Sequence, residues 1–157
     1  MKARIFIGSS TEGLPVAQRI KEYFETEYDC YIWNDGIFKY NEGFLETLIK
    51  SASLFDFGFM VFAADDVSRI RDKEYITTRD NVLFEYGLFL GRVGLDKAYI
   101  IKDKGVKIPS DMLGITLLEY ETTANEDGTK VPNDDFENHL SELKKNIDEK
   151  VALGYLG

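Results

Sequence analysis

The chain switches repeatedly between two hydrophobic periods, and this alternation most limits what it can fold into. "ARIFIG" is a short β-rich run. Beyond Gly8, Ser9, Ser10, Thr11, Glu12 and Gly13, the residues Val16, Ile20, Tyr23 and Phe24 recur at helical spacing. Pro15 falls in the first turn of that segment, where its missing N–H costs nothing. The same order repeats. "CYIWND" reads as a second strand, and Leu45, Leu48, Ile49 and Ala52 mark a second helix face. "FDFGFMVFAADD" is the most continuous apolar run and predicts a central strand buried on both faces. A third helix lies in "TTRDNVLFEYGLFLGRVG", residues 77 to 94, followed by strands in "KAYIIKD" and "ITLLEYE". The last helix starts at Asn133, Asp134 or Asp135, which can cap it, and carries Phe136, Leu140, Leu143, Ile147 and Val151 on one face. Strands alternating with helices imply a parallel sheet covered on both faces. The expected fold is flavodoxin-like, a doubly wound α/β domain with a five-stranded parallel sheet in the order 2-1-3-4-5, and residues 1–157 form one domain.

Bulk properties exclude several functions. The 19 basic residues against 28 acidic ones give a net charge of −9, which repels a nucleic-acid backbone or an anionic membrane unless basic residues cluster. The densest basic groups, Lys144-Lys145 and Arg69, Arg71, Lys73, are interrupted or flanked by acids. No run approaches the ~18 apolar residues of a membrane span, and the start is not a signal peptide, so the chain is expected to be cytoplasmic. With one cysteine and one histidine there is no intrachain disulfide, no Cys/His zinc site and little room for a Ser-His-Asp triad. Cys30 reads as a small buried hydrophobe and His139 as a surface residue of the last helix. The acidic "NEDGTKVPNDD" reads as a solvated loop, and no metal site is expected.

In folds of this class, ligands bind beyond the carboxyl ends of the strands where strand order reverses, between strands one and three. That rule selects Gly8, Ser9, Ser10 and Thr11 after strand one, Ala63, Ala64, Asp65 and Asp66 after strand three, and Arg79, Asp80 and Asn81 at the third helix. Gly8 to Gly13 has Walker-A glycine spacing, but Leu14 and Pro15 follow where that motif needs Lys and Ser or Thr, and GxGxxG is missing. A receiver domain would place an acidic pair after strand one, where Ser9-Ser10 stands. Hydroxyls and glycine backbone can still bind a diphosphate or a sugar; a plain capped turn is the alternative.

Glu85 is the unusual residue, one carboxylate among Val82, Leu83, Phe84, Tyr86, Leu88, Phe89 and Leu90. On a helical wheel it belongs either to a narrow solvated stripe with Asn81, Arg92 and Asp96, or to the wall of the crevice, ~9 Å from the helix start by its rise per residue. In the second case a partly desolvated carboxylate is a catalytic candidate. Gly87, Gly91 and Gly94 read as close-packing positions that hold the helix and Glu85 rigidly.

These residues resemble a family. "RIFIGSS", "FMVFAADD" and above all "RDNVLFEYGLFLGRVG" are similar to bacterial TIR-like nucleotide-binding domains, among them the N-terminal effector domains of TIR-STING anti-phage proteins. The resemblance covers nearly the whole chain. It implies a TIR fold, hydrolysis of NAD to nicotinamide and an ADP-ribose product in anti-phage defence, and Glu85 as the catalytic glutamate. NAD is then the substrate and no cofactor is needed. Many other TIR NADases carry a tryptophan four residues before the glutamate; here that position is Asn81, which bears on how the nicotinamide end is packed and on whether a cyclised product forms. The expected substrate-binding set is Gly8, Ser9, Ser10, Asp65, Arg79 and Asn81, with Phe6, Trp33 or Phe38 available to stack on a base. Residues 65 to 78 form a loop long enough to be a lid. The loop from 34 to 44, through Ile37, Phe38 and Tyr40, is expected to mediate self-association and gate the site. A cyclic dinucleotide would act only through a sensor domain beyond residue 157.

One carboxylate suffices for this chemistry. Glycosidases use two because an alkoxide leaving group must be protonated. Nicotinamide is cationic on the ribose and departs neutral, so one carboxylate can stabilise the oxocarbenium-like ribose through its hydroxyls or by charge. Two rival readings stand beside it: a nucleoside deoxyribosyltransferase-like enzyme, which also pairs such a sheet with one glutamate, and a non-catalytic TIR interaction module.

Overall fold

Parity along the strands decides how this chain folds, as a computed structural model shows. The structure describes residues 2–34, 50, 52–78, 80–108, 117–128 and 130–154, and only the backbone of Asn34, Asp66 and Asn81. Five parallel strands, β1 (Arg4–Ser9), β2 (Asp29–Asn34), β3 (Phe57–Phe62), β6 (Ala98–Asp103) and β7 (Leu117–Tyr120), form one sheet in the order β2-β1-β3-β6-β7. Counting these five alone, this is the expected 2-1-3-4-5 order. All six residues of β3 are buried, as its unbroken apolar run requires in a sheet covered on both faces.

Alternate residues of each strand feed two separate cores. Ile5, Ile7, Phe57, Phe59, Val61, Tyr99 and Ile101 pack against α1 (Leu14–Phe24) and the C-terminal helix, here α3 (Phe136–Ala152). Phe6, Met60, Phe62, Ala98 and Ile100 pack on the opposite face with Val82, Tyr86 and Phe89 of α2 (Asp80–Val93). Helix α1 follows the predicted face, with Val16, Ala17, Ile20 and Phe24 buried. Helix α2 stops at Gly94, whose φ of 96° suits glycine. The predicted second helix around residues 45 to 52 lies almost wholly outside the described residues.

Two small antiparallel hairpins were not predicted. Residues 65 to 78 hold β4 (Asp66–Ile70) and β5 (Lys73–Thr77) instead of a bare loop, joined by Arg71 and Asp72 at φ 50° and 63°. Two positive φ values make this a two-residue hairpin turn of the primed kind, normally signalled by Asn-Gly or Asp-Gly. The acidic segment after β7 likewise contains β8 (Thr122–Ala124) and β9 (Lys130–Pro132), paired antiparallel. Among the described residues, no helix is long and apolar enough to cross a membrane.

Candidate functional site

The site is built on one lateral row of the sheet. Trp33 of β2 is in register with Gly8 of β1, and Gly8 with Met60 of β3. Residues in register across parallel strands share a face, here the face covered by α2. Gly8 has no side chain, so a slot opens between the indole and the thioether. The Glu85 carboxylate occupies its margin: a methyl added at Gly8 would lie 3.3 Å from Glu85 Oε2, 3.2 Å from Phe6 Cε1 and 2.6 Å from Met60 Sδ. The Trp33 indole Nε1–H donates to Glu85 Oε1 at 3.2 Å.

Glu85 is 1% exposed, which removes the solvated-stripe reading. The exposed side of α2 instead runs through Asp80, Phe84, Gly87 and Gly91. This also corrects the expected role of the glycines. Among the described residues nothing lies within 4 Å of a side chain built at Gly87, Gly91 or Gly94; the first two face open space and Gly94 ends the helix. What holds α2 to the sheet is aromatic: Phe89 stacks on Phe6 at 4.1 Å between centroids, and the edge of Tyr86 meets Phe62 at 5.9 Å.

Beside this row, the expected hydroxyl residues form a closed network. Ser10 Oγ donates to Asp65 Oδ1 at 2.7 Å and accepts the Gly13 N–H at 3.1 Å, while Ser9 Oγ donates to the Ser10 carbonyl at 2.6 Å. Thr78 Oγ1 donates to Asp65 Oδ2 at 3.1 Å. Both oxygens of Asp65 therefore tie the loop after β1 to the segment entering α2. The hairpin joins the same rim, since the Asp65 N–H donates to the Thr77 carbonyl at 3.2 Å and the Lys107 N–H to the Ile76 carbonyl at 2.8 Å.

The structure thus brings Gly8, Ser9, Ser10, Asp65 and Glu85 to one end of the sheet. Asn81 lies one turn before Glu85 on α2, its side chain outside the description. Arg79, and Ile37, Phe38 and Tyr40 of the expected assembly loop, lie outside the described residues. Phe6 and Trp33 are buried against each other, with centroids 5.9 Å apart, so they are walls of the Glu85 pocket rather than open platforms for a base. Two grooves among the described residues lie elsewhere, one of about 380 Å³ between β6, β7 and α3 and one of about 250 Å³ beside Phe55 and Arg92. Neither is lined by Glu85, which is itself buried.

Residue-by-residue reading missed Thr78, the Trp33–Glu85 contact and Lys102. Lys102 is buried and its Nζ donates to the carbonyls of Asp103, Lys104 and Val106 at 3.1, 3.3 and 2.8 Å. A buried ammonium satisfied in this way fixes the turn after β6. Cys30 is buried as expected, and burial followed by the charge of Glu25 pushes its thiol up to about 12. His139 Nε2 lies 3.5 Å from a carboxylate oxygen of Asp135, the residue just before α3, on the surface.

Residues 4–122 match a family described as "CAP12/Pycsar effector protein, TIR domain". Over all 157 residues the chain is 64% identical to a CD-NTase-associated protein 12 of Lachnospiraceae bacterium (strain RUG226), covering 50% of that protein. It is 53% identical over 157 residues to a CD-NTase-associated protein 12 of Flavobacterium daejeonense, covering 49% of it. Pycsar effector protein XpPycTIR of Xanthomonas perforans is 36% identical over 129 residues, 80% of this chain and 43% of that protein. The chain spans about half the length of the first two. The names of these relatives carry the CD-NTase and Pycsar associations, and none carries STING.

Proposed function

Because the chain belongs to the CAP12/Pycsar effector TIR-domain family, we propose that it is an NAD glycohydrolase in which Glu85 is the catalytic glutamate. The observation that carries the reading is the Glu85 carboxylate itself, buried in a slot left by Gly8 at the strand ends where doubly wound sheets bind ligands. A buried carboxylate is costly unless hydrogen-bonded, and one kept at a ligand-binding position is a strong candidate for chemistry.

The reaction breaks the bond between C1′ of the ribose and the nicotinamide ring nitrogen. The bonding pair leaves with nicotinamide, which becomes neutral, so no acid is needed. Glu85 stabilises the positive charge that develops on the ribose, through its hydroxyls or through space. Water adds to C1′ and loses a proton, giving ADP-ribose; attack by a group of the same molecule would give a cyclised product instead. The loops around Ser10 and Asp65 shape the rim that receives the nucleotide, with Asn81 in the first turn of α2 and Arg79 next to it in sequence as further substrate-binding residues.

Glu85 is 1% exposed in the single chain, so the carboxylate must be uncovered before ribose can reach it. Self-association of TIR domains through the loop carrying Ile37, Phe38 and Tyr40 is proposed as the uncovering step. The 157 residues act as one cytoplasmic TIR domain in anti-phage defence. A cyclic nucleotide is sensed by a separate domain of the same protein, and a STING-type cyclic-dinucleotide sensor is the narrower form of this proposal.

The reading is tested by incubating the chain, at high concentration with a crowding agent, with NAD and in parallel with a deoxyribonucleoside plus a free base. Nicotinamide appearing only from NAD supports it. Base exchange without NAD turnover would make the chain a deoxyribosyltransferase-like enzyme instead.

A further inference from the structure

We propose that Trp33 is the positioning residue for Glu85; this rests on the glycohydrolase reading above. The two residues are 52 positions apart, on β2 and α2, and meet only because the Gly8 slot lets the glutamate reach the sheet. Trp33 is 5% exposed and Glu85 1%, so their hydrogen bond operates in a low-dielectric interior, away from competing water. The indole N–H is a donor only. It cannot reverse roles, so the carboxylate oxygen that meets it must accept, and the bond fixes which of the two oxygens does so.

The ring is itself held in place. Phe6 packs against Trp33, and Phe89 of the same helix as Glu85 stacks on Phe6. Donor and acceptor are therefore fixed by one aromatic group that spans sheet and helix. A glutamate has three rotatable side-chain bonds, and a fixed donor on Oε1 selects one rotamer and so decides which oxygen edge faces the ribose. Trp33 touches no reacting atom in this account.

The test compares wild type, Trp33→Phe and Glu85→Gln in steady-state nicotinamide release under assembling conditions. Trp33→Phe keeps an aromatic ring and removes the donor. The expected result is a kcat lower by about 10- to 100-fold, the loss of one hydrogen bond to a charged group. KM stays within about twofold and Tm within about 3 °C. Replacing Trp33 by 3-benzothienylalanine, which exchanges N–H for sulfur in the same shape, should reproduce the loss. The chain has one tryptophan, so its single indole N–H resonance reads the contact without any turnover and should move in Glu85→Gln.

Trp33→Phe with wild-type kcat, while Glu85→Gln is dead, would overturn the positioning role and leave the glycohydrolase reading intact. A loss of rate matched by a rise in KM or a collapse of Tm would reduce Trp33 to a packing residue. An indole resonance indifferent to Glu85→Gln would remove the contact. No nicotinamide release from assembled wild type would overturn the parent reading and this proposal together.

Discussion

Ser10 and Asp65, 55 residues apart, are joined by a 2.7 Å hydrogen bond from the serine hydroxyl to one carboxylate oxygen, and Thr78 holds the other oxygen. The bond fastens the loop after β1 to the stretch that enters α2, so the carboxylate sets the spacing of the two walls of the site. Ser10 and Thr78 are both buried. Asp65→Ala would leave their hydroxyls without this acceptor. It should lower stability by about 1–3 kcal/mol, read as a lower urea midpoint at unchanged slope. Ser10→Ala in the Asp65→Ala background should then cost less than Ser10→Ala alone.

Gly8→Ala tests the slot. The new methyl would stand 2.6 Å from Met60 Sδ and 3.3 Å from Glu85 Oε2. Overpacking of this kind costs about 1–3 kcal/mol. The Met60 thioether takes the main clash and the Glu85 carboxylate must also give by a few tenths of an ångström, so nicotinamide release measured well below the variant's Tm should drop further than the loss of folded protein explains. An active variant with a lowered Tm would mean that the thioether alone moves aside.

Tyr86 gives the opposite expectation. Its hydroxyl is buried and has no hydrogen-bond partner among the described residues, and burial pushes its pKa up to about 12. Removing an unsatisfied buried polar atom while keeping the ring removes a cost. Tyr86→Phe should be neutral or stabilising, by up to about 1 kcal/mol in urea denaturation; a marked loss of stability would reveal a partner for the hydroxyl.

Alkaline pH should destabilise the fold. Burial raises Cys30 from 9.0 and Tyr86 from 10.0, each to about 12. Both groups are neutral when protonated, so the folded chain keeps protons that the unfolded chain releases above its own pKa values. Stability therefore falls as pH rises from about 9 toward 12. Urea midpoints at pH 8 and pH 10.5 check this, and Cys30→Ala should flatten the lower part of the decline. The same burial predicts that iodoacetamide labels Cys30 slowly in the folded chain and rapidly in urea.

What was legible in the sequence follows from how locally each feature is encoded. The apolar run of β3 and the shift from period two to helical spacing are local, and they yielded the sheet and the place of Gly8, Ser10, Asp65 and Glu85. The β4–β5 hairpin escaped because Arg71-Asp72 adopts positive φ without the glycine that normally signals such a turn. The outward place of Gly87 and Gly91 is not legible, because a helical wheel shows which residues share a side but not which side meets the sheet. The Trp33–Glu85 bond depends on a register between strands and a helix crossing above them, information that no window of sequence holds.

Chromatographic measurement of nicotinamide released from NAD, by wild type and by Glu85→Ala at high protein concentration with a crowding agent, bears most directly on the central claim. The account predicts steady release by wild type, with an ADP-ribose product in equal amount, and none from the variant although it folds normally. Release that persists at the wild-type rate in a folded Glu85→Ala chain would contradict it.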